Sequence, residues 1–288
     1  TTELSVQQEW GDRDTISTTS NRRKPVIRNT VVDAKLNHQF DLMGMHQLTV
    51  GGQYFEALLT DANAGYIVKG QPIIYDKFSA TQWALFLEDE WRVVDDFALT
   101  GGVRLDHHEQ YGYHVSPRLY GVWNATEQLT VKGGVSTGFK APDIRQVTPG
   151  YAYTTGGSGC QDASKPMTAS QNPCGVILGD PNLQPETSTS YEIAALWQGY
   201  NVELGATLFY TNFEDKIFNV RKSGTAGRGW ELWTENNYYS VWEQFNVDEA
   251  VMRGIELTGS WDVTGDLTLR GSYTYTDSEQ KTGAYSGY

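Results

Sequence analysis

The sequence predicts an all-β fold, an antiparallel transmembrane β-barrel, and two observations carry that prediction. Apolar and polar residues alternate with a period of two over many segments, as in strands whose two faces meet different surroundings. The connections between these segments are short and long in turn. Strands that are apolar outward, with short turns at one end and long loops at the other, are typical of barrels in the bacterial outer membrane.

Strands are predicted wherever the alternation holds. In residues 97–106 one face carries Leu99, Gly101, Val103 and Leu105, and the other carries Thr100, Gly102, Arg104 and Asp106. No segment of similar length has the helical period of about 3.6 residues. The pattern predicts eleven strands, near residues 3–11, 28–40, 46–60, 79–93, 97–106, 114–123, 128–138, 188–198, 202–220, 250–261 and 267–277.

The links between the predicted strands fall into two length classes. The short links are residues 41–45, 94–96, 124–127, 199–201 and 262–266. The longer links are residues 12–27, 61–78, 107–113, 139–187 and 221–249. A soluble β-sandwich has no reason to place every long loop at one end, although a soluble barrel or sandwich with an ordinary core stays the alternative.

Composition agrees with a membrane barrel and excludes other classes. With 22 Lys+Arg against 35 Asp+Glu, the 288-residue chain has a net charge of −13, which is unsuited to binding nucleic acid. No apolar run is long enough for a transmembrane helix. Aromatic residues make up 12% of the chain and stand at predicted strand ends, for example Trp91, Trp123 and Trp197, as in interfacial girdles. Neither a nucleophile elbow nor a Gly-rich phosphate loop is present, so we expect no enzyme, metal or cofactor.

Three segments resemble the motifs of one receptor family. They are Leu129–Pro142 (LTVKGGVSTGFKAP), Asn182–Glu192 (NLQPETSTSYE) and Asn246–Leu257 (NVDEAVMRGIEL). In order and spacing they resemble the barrel motifs of TonB-dependent outer-membrane receptors. The loop from Gly156 to Gly175 and the run 116–118 are similar to the branch of ferric catecholate siderophore and colicin receptors.

The resemblance implies a particular architecture. Such receptors have a 22-strand barrel filled by an N-terminal plug, which follows a short TonB-binding segment. We therefore expect the chain to be a barrel fragment over residues 1–288, supplying about half of the strands, without plug, TonB box or C-terminal strand. The chain begins at Thr1 without Met and ends at Tyr288 in a Gly-containing segment without alternation, which agrees with that expectation.

The resemblance also implies a function in the Gram-negative outer membrane. It is the TonB-dependent uptake of a ferric siderophore, in the first place a catecholate, captured by extracellular loops. The implied partners are the siderophore, TonB–ExbB–ExbD acting through the N-terminal region, outer-membrane lipid, and colicins or phage. The alternatives are another TonB-dependent ligand (haem, cobalamin or an oligosaccharide) and a passive porin.

Ferric catecholates are anionic and carry flat rings, so aromatic and cationic side chains suit their capture. Specificity is expected in the loops 61–78, 139–187 and 221–249. The candidate ligand-binding residues in these loops are Arg145, Tyr151, Tyr153, Arg221, Arg228, Trp230, Trp233, Tyr238 and Tyr239.

The two cysteines lie in the same long loop. Cys160 and Cys174 are expected to form a disulfide, because the cell envelope is oxidising and such a bond restricts a long loop. The alternative is a metal-binding or redox pair, which the absence of His from that loop disfavours.

A few further residues have structural interpretations. His107 and His108 are consecutive, point to opposite sides of an extended chain and cannot readily chelate one ion, so we expect them in a solvated loop. Gly133, Gly134 and Gly254 suit places where another backbone comes close. Glu186 and Glu192 are predicted to accept hydrogen bonds where strands begin. Pro142 and Pro185 mark where a long loop leaves and rejoins the wall.

Overall fold

The computed structural model describes residues 1–14, 24–62, 75–148, 152–155, 161–162, 175–221, 230–232 and 237–282. No helix among these residues is long and apolar enough to cross a membrane. The elements are β1 Thr2–Asp12, β2 Val26–Asp41, β3 Met45–Ala62, β4 Tyr75–Val94, β5 Phe97–His108, β6 Gly112–Asn124, β7 Leu129–Lys140, α1 Ile144–Val147, β8 Ala152–Thr155, β9 Gln161–Asp162, β10 Gly175–Leu178, β11 Glu186–Gln198, β12 Val202–Arg221, β13 Trp230–Leu232, β14 Asn237–Thr264 and β15 Leu267–Gln280.

The eleven long strands form one antiparallel sheet in chain order, β1 to β7 and then β11, β12, β14 and β15. Within the described residues no pairing joins β1 to β15, so the sheet is an open part of a barrel wall. The predicted fold class and its eleven strands are therefore confirmed. The short elements β9, β10 and β13 pair with residues 237–243 of β14, and β8 pairs with β10.

The short turns lie where the sequence predicts them, at residues 42–44, 95–96, 125–128, 199–201 and 265–266. The link predicted as long at 107–113 is instead the tight turn 109–111. Strand β5 extends to His108, and β6 begins at Gly112. Gly112 has a φ of +71°, which glycine adopts without strain,. We call the end of the sheet with residues 42–44 the short-turn end and the other the long-loop end.

One face of the sheet is apolar. On β4, Leu85 is 57% and Leu87 is 45% exposed, although both are large apolar residues. The exposed aliphatic side chains that continue this band across neighbouring strands are Leu36, Val50, Val103, Leu119, Ile193, Leu204, Leu208, Leu257 and Leu269. A continuous exposed band of this extent indicates a surface that water does not cover.

Aromatic clusters border the band at both ends. Toward the long loops, His107 stacks on Trp83 with ring centroids 5.3 Å apart and contacts Tyr113 at 4.5 Å. Toward the short turns, His46 lies against Trp91 with ring centroids 5.5 Å apart. These positions are those of the two interfacial girdles of a membrane barrel.

The two consecutive histidines are not in a loop, as the sequence analysis expects, but in β5. His107 belongs to the upper aromatic cluster, whereas His108 is only 6% exposed and lies beside Tyr111. The expectation that both histidines are solvated was wrong, because β5 extends to His108 and the turn begins only after it. The expected opposite orientation of the two rings is confirmed.

The opposite face is polar and carries a connected network. Arg104 Nε donates to Asp106 Oδ2 at 3.0 Å, and its Nη2 donates to Gln53 Oε1 at 2.9 Å. Gln53 in turn donates to Asp33 at 2.6 Å, and Gln82 donates to Asp106 at 3.0 Å. Because Asp106 is 4% exposed, Arg104 neutralises a buried carboxylate and ties β2, β3, β4 and β5 together.

We expect the substitution Arg104→Met to lower the free energy of unfolding of the protein by about 2–3 kcal/mol, since it leaves Asp106 buried without its cation. Arg118→Met is the matched control. Arg118 forms an ion pair with Glu88, and both side chains are more than a third exposed. Loss of this ion pair should lower the free energy of unfolding by about 1 kcal/mol or less. Urea unfolding of the purified protein measures both changes, and equal effects would contradict the role given to the network.

Candidate ligand-binding site

The connection between β7 and β11 turns across the sheet at the long-loop end. The two strands are direct neighbours, yet the chain between them passes through α1 and approaches β4 on its way. The short helix is closed by its own side chains: Gln146 Oε1 accepts from Asp143 N at 2.7 Å, and Thr148 Oγ1 donates to Ile144 O at 2.5 Å. Pro142, at the exit from β7, is buried.

The returning half of this connection packs against the outgoing half. Asp180 N donates to Gln146 O at 2.7 Å, and Leu183 is 1% exposed. Gly179 lies so close to the carbonyl oxygen of Thr148 that a Cβ atom would clash with it. The described parts of the connection therefore pack against each other as one layer, which we call the β7–β11 layer.

A polar clasp fixes the layer to the wall; we define it as Gln184, Glu186, Asp215 and Asn246. Asn246 Oδ1 accepts from Gln184 N at 2.8 Å, and Nδ2 donates to Gln184 O at 2.9 Å and to Asp215 O at 2.5 Å. Glu186 Oε1 accepts from Ile217 N at 2.7 Å. Asp215 has a φ of +55°, a conformation that a non-glycine residue keeps only when its surroundings hold it.

The clasp joins two of the three motifs found in the sequence. Glu186 belongs to the second motif and Asn246 opens the third, and the prediction that Glu186 accepts a hydrogen bond at a strand start is confirmed. Glu192 also accepts a hydrogen bond, from the hydroxyl of Tyr120 at 3.0 Å, but it lies in the middle of β11 and not at a strand start as predicted. Both carboxylates have structural partners.

Above the clasp, β14 continues beyond the wall. Its residues from Asn237 pair with β9, β10 and β13, and β10 runs parallel to it. The sequence analysis assigns 221–249 to a loop; the strand extends further because β12 reaches Arg221, opposite Trp242, and offers a partner along that length.

A cleft of about 530 Å³ opens between the end of β10 and the neighbouring parts of β12 and β14. Gln244 stands in it with 3% exposure, and no described residue makes a hydrogen bond to its Oε1. Nearby on β12, Lys216 Nζ lies 4.3 Å from the ring centroid of Phe213. The residues lining the cleft are Leu178, Gly179, Asp180, Val220, Glu243, Gln244 and Phe245.

Six of the nine candidate residues lie within the described part of the chain. Arg145 is exposed in the last turn of α1. The backbone pairing brings together the strands that carry the others: Tyr153 is opposite Ile177 on β10, Arg221 is opposite Trp242, and Trp230 is opposite Ser240. Tyr238 and Tyr239 pair with β13. The candidates Tyr151, Arg228 and Trp233, and the cysteines Cys160 and Cys174, lie outside the described residues.

Sequence reasoning missed Gln244, Lys216 and Asn246 as residues of this region. Asn246 could have been found, because it opens a recognised motif. Gln244 carries no sequence signal, since its burial results from the packing of β10 beside β14.

The sequence profile of the family described as "TonB dependent receptor-like, beta-barrel" matches residues 2–288. The chain belongs to the TonB-dependent receptor β-barrel family. Its apolar face is therefore the lipid-facing surface of a barrel in the Gram-negative outer membrane, and its polar face lines the barrel interior. The short-turn end is periplasmic and the long-loop end is extracellular.

Three comparisons show which proteins the chain is similar to. It is 38% identical over 99% of its length to the iron-regulated outer membrane virulence protein of Vibrio cholerae, covering 40% of that protein. It is 28% identical over 86% of its length to the ferric enterobactin receptor PirA of Pseudomonas aeruginosa, covering 33% of it. The crystal structure of PirA from the same species superposes with a TM-score of 0.74 at 23% identity, over 97% of this chain and 51% of that one. The chain thus spans well under half the length of these curated relatives.

Proposed function

We propose that the receptor to which this barrel segment belongs takes up a ferric siderophore, most simply a catecholate, that is captured at the extracellular cleft above β12 and β14. The proposal rests on the family membership together with the function of a similar protein. The barrel wall matches the family over residues 2–288, and the similar PirA is named a ferric enterobactin receptor. Enterobactin is a catecholate siderophore.

The chemistry of the extracellular end supports this ligand class. A ferric catecholate carries negative charge and exposed rings, so cations and aromatic faces suit it. Arg145 is exposed beside the cleft. Of the candidates, Arg221 lies on β12 and Tyr238 and Tyr239 lie on β14, two of the strands that border the cleft, whereas Tyr153 and Trp230 lie on β8 and β13, which pair with β10 and β14.

We further propose that passage into the periplasm depends on a plug inside the barrel and on the TonB–ExbB–ExbD complex, as the family name implies. The chain then works as a receptor and not as an enzyme. The proposed disulfide between Cys160 and Cys174 would shorten the longest extracellular connection. Colicins or phage would meet the same extracellular loops.

Binding is tested with the full-length receptor in detergent, titrated separately with a ferric catecholate, a ferric hydroxamate, haem and cobalamin while Trp and Tyr emission is followed. We expect saturable quenching by the catecholate alone. Removal of a cation and a ring by the double substitution Arg228→Ala/Trp230→Ala is expected to weaken binding about tenfold or more.

The control is the double substitution Arg92→Ala/Trp123→Ala, which removes the same residue types at the periplasmic end and should leave the dissociation constant unchanged. Both variants lose one emitting Trp, so the comparison corrects for the loss of signal. Saturation by haem, cobalamin or the hydroxamate instead of the catecholate would overturn the ligand assignment and leave the family intact.

A further inference from the structure

The two sides of β14 meet different surroundings along the wall. On the lipid-facing side, Leu257 and Trp261 are 40% and 47% exposed. Strand β14 keeps one register with β12 from Trp261 up to Trp242, so successive residues alternate between the two sides over this length,. Trp242 and Gln244 are each an odd number of residues from Trp261, and they therefore belong to the side that faces the barrel interior.

Trp242 lies in a row of paired residues that crosses four strands. Its neighbours are Arg221 of β12 and Ile177 of β10, and Ile177 is in turn opposite Tyr153 of β8. Ile177 is only 6% exposed, whereas Trp242 is half-buried and keeps part of its indole surface open. Because paired residues of neighbouring strands share one side of a sheet, the row offers an open indole beside a position that carries a guanidinium. Such a surface suits a flat ring with negative charge.

Gln244 follows Trp242 on the same side of β14, about 7 Å further along the strand. It borders the cleft between β10, β12 and β14, and it is 3% exposed. Its Oε1 atom accepts no hydrogen bond from any residue that the structure describes. A buried acceptor without a donor is unfavourable, so this position favours a ligand that brings a donor.

The chemistry of the ligand limits what that donor can be. In a ferric catecholate the two oxygen atoms of each ring are deprotonated and bound to iron, so they accept hydrogen bonds and donate none. An N–H group attached close to the ring is then the donor that reaches Gln244 while the ring lies on Trp242.

We propose that Trp242 and Gln244 recognise a catecholamide, in which a carboxamide N–H is attached directly to the catechol ring; this inference rests on the proposed function. The indole of Trp242 stacks on the ring, and Gln244 Oε1 accepts a hydrogen bond from the amide N–H. A catecholate without the N–H leaves the acceptor unpaired, and a site of this kind discriminates strongly against such a ligand.

The test uses the full-length receptor in detergent and equilibrium binding of two complexes of radioactive iron. One ligand is a tripodal tris-catecholamide, and the other is the same ligand with every amide N–H methylated. Wild-type receptor is expected to bind the first about tenfold or more tightly than the second. Gln244→Met is expected to abolish this preference, since it keeps the size of the side chain and removes the acceptor. Trp242→Ala should weaken the binding of both complexes about tenfold, and Trp242→Phe should restore most of it.

The matched controls are Gln198→Met and Trp261→Ala, which make the same changes at the periplasmic end and should alter neither dissociation constant. Unchanged migration of unheated samples on gels shows that every variant is folded. Equal binding of the two complexes by the wild type, or a preference that survives in Gln244→Met, would overturn this inference and leave the proposed function intact. Binding of neither complex by the wild type would overturn the proposed function, and this inference with it.

Discussion

Replacing Asn246 by Ala is expected to release the layer between β7 and β11 from the barrel wall. The side chain makes three hydrogen bonds to backbone groups of Gln184 and Asp215, and the substitution removes all of them. At roughly 1 kcal/mol for each bond, the free energy of unfolding should fall by about 2–3 kcal/mol. Ligand affinity should fall as well, because Asp180 and Gly179 of the cleft belong to the released layer.

The substitution Asn246→Asp tests the role of the Asn246 amide as a hydrogen-bond donor. It keeps the acceptor for Gln184 N and loses the donor to the carbonyl oxygens of Gln184 and Asp215. We expect a loss of stability at least as large as that of Asn246→Ala, because a carboxylate oxygen then faces these two carbonyl oxygens, together with faster proteolysis of the β7–β11 connection. Thermal unfolding and limited proteolysis of the receptor measure both. Wild-type proteolysis in Asn246→Ala would show that the clasp does not hold the layer.

The substitution Gly134→Val is expected to have the largest effect on folding. A Cβ at this position would clash with the carbonyl oxygen of Leu119 and would stand 2.5 Å from Tyr120 Cδ2. The ring of Tyr120 cannot move away freely, because its hydroxyl donates to Glu192 at 3.0 Å. Overpacking of this kind costs about 3 kcal/mol, and the backbone clash adds to it, so most of the receptor should fail to assemble.

Gly101 provides the control for this experiment, since nothing lies within 4 Å of a Cβ built there. Gly101→Val is expected to assemble as the wild type does. The folded fraction is measured from the migration of unheated and heated receptor on denaturing gels. Equal assembly of the Gly134→Val and Gly101→Val receptors would mean that the close approach of β6 and β7 is not required.

The wall could be predicted from the sequence because each strand has two different environments. Alternation in segments such as 97–106 survives in the structure as one exposed apolar face and one polar face. The close approach at Gly133, Gly134 and Gly254 was also predictable and is confirmed by the short distances to neighbouring backbone at each position. The tight turn at 109–111 was not, because His107 and His108 read as polar loop residues.

The site was less predictable than the wall, for a physical reason. The residues of the extracellular connections do not alternate between lipid and the barrel interior. The strands β8 and β10 and the part of β14 beyond the wall therefore show no two-residue alternation of apolar and polar residues in the sequence. Their pairing depends on segments far apart in the chain, such as Gly175 beside Ser240. The sequence could name aromatic and cationic candidates such as Trp230 and Arg221, but not the burial of Gln244 between these strands.

The most direct measurement of the central claim is the uptake of radioactive iron by whole cells that carry only this receptor. Iron is supplied as a ferric catecholate, as a ferric hydroxamate or as haem, in cells with and without TonB. We predict rapid uptake from the catecholate alone, and none in the cells that lack TonB. Catecholate uptake that persists without TonB, or uptake from the hydroxamate or haem alone, would contradict the account.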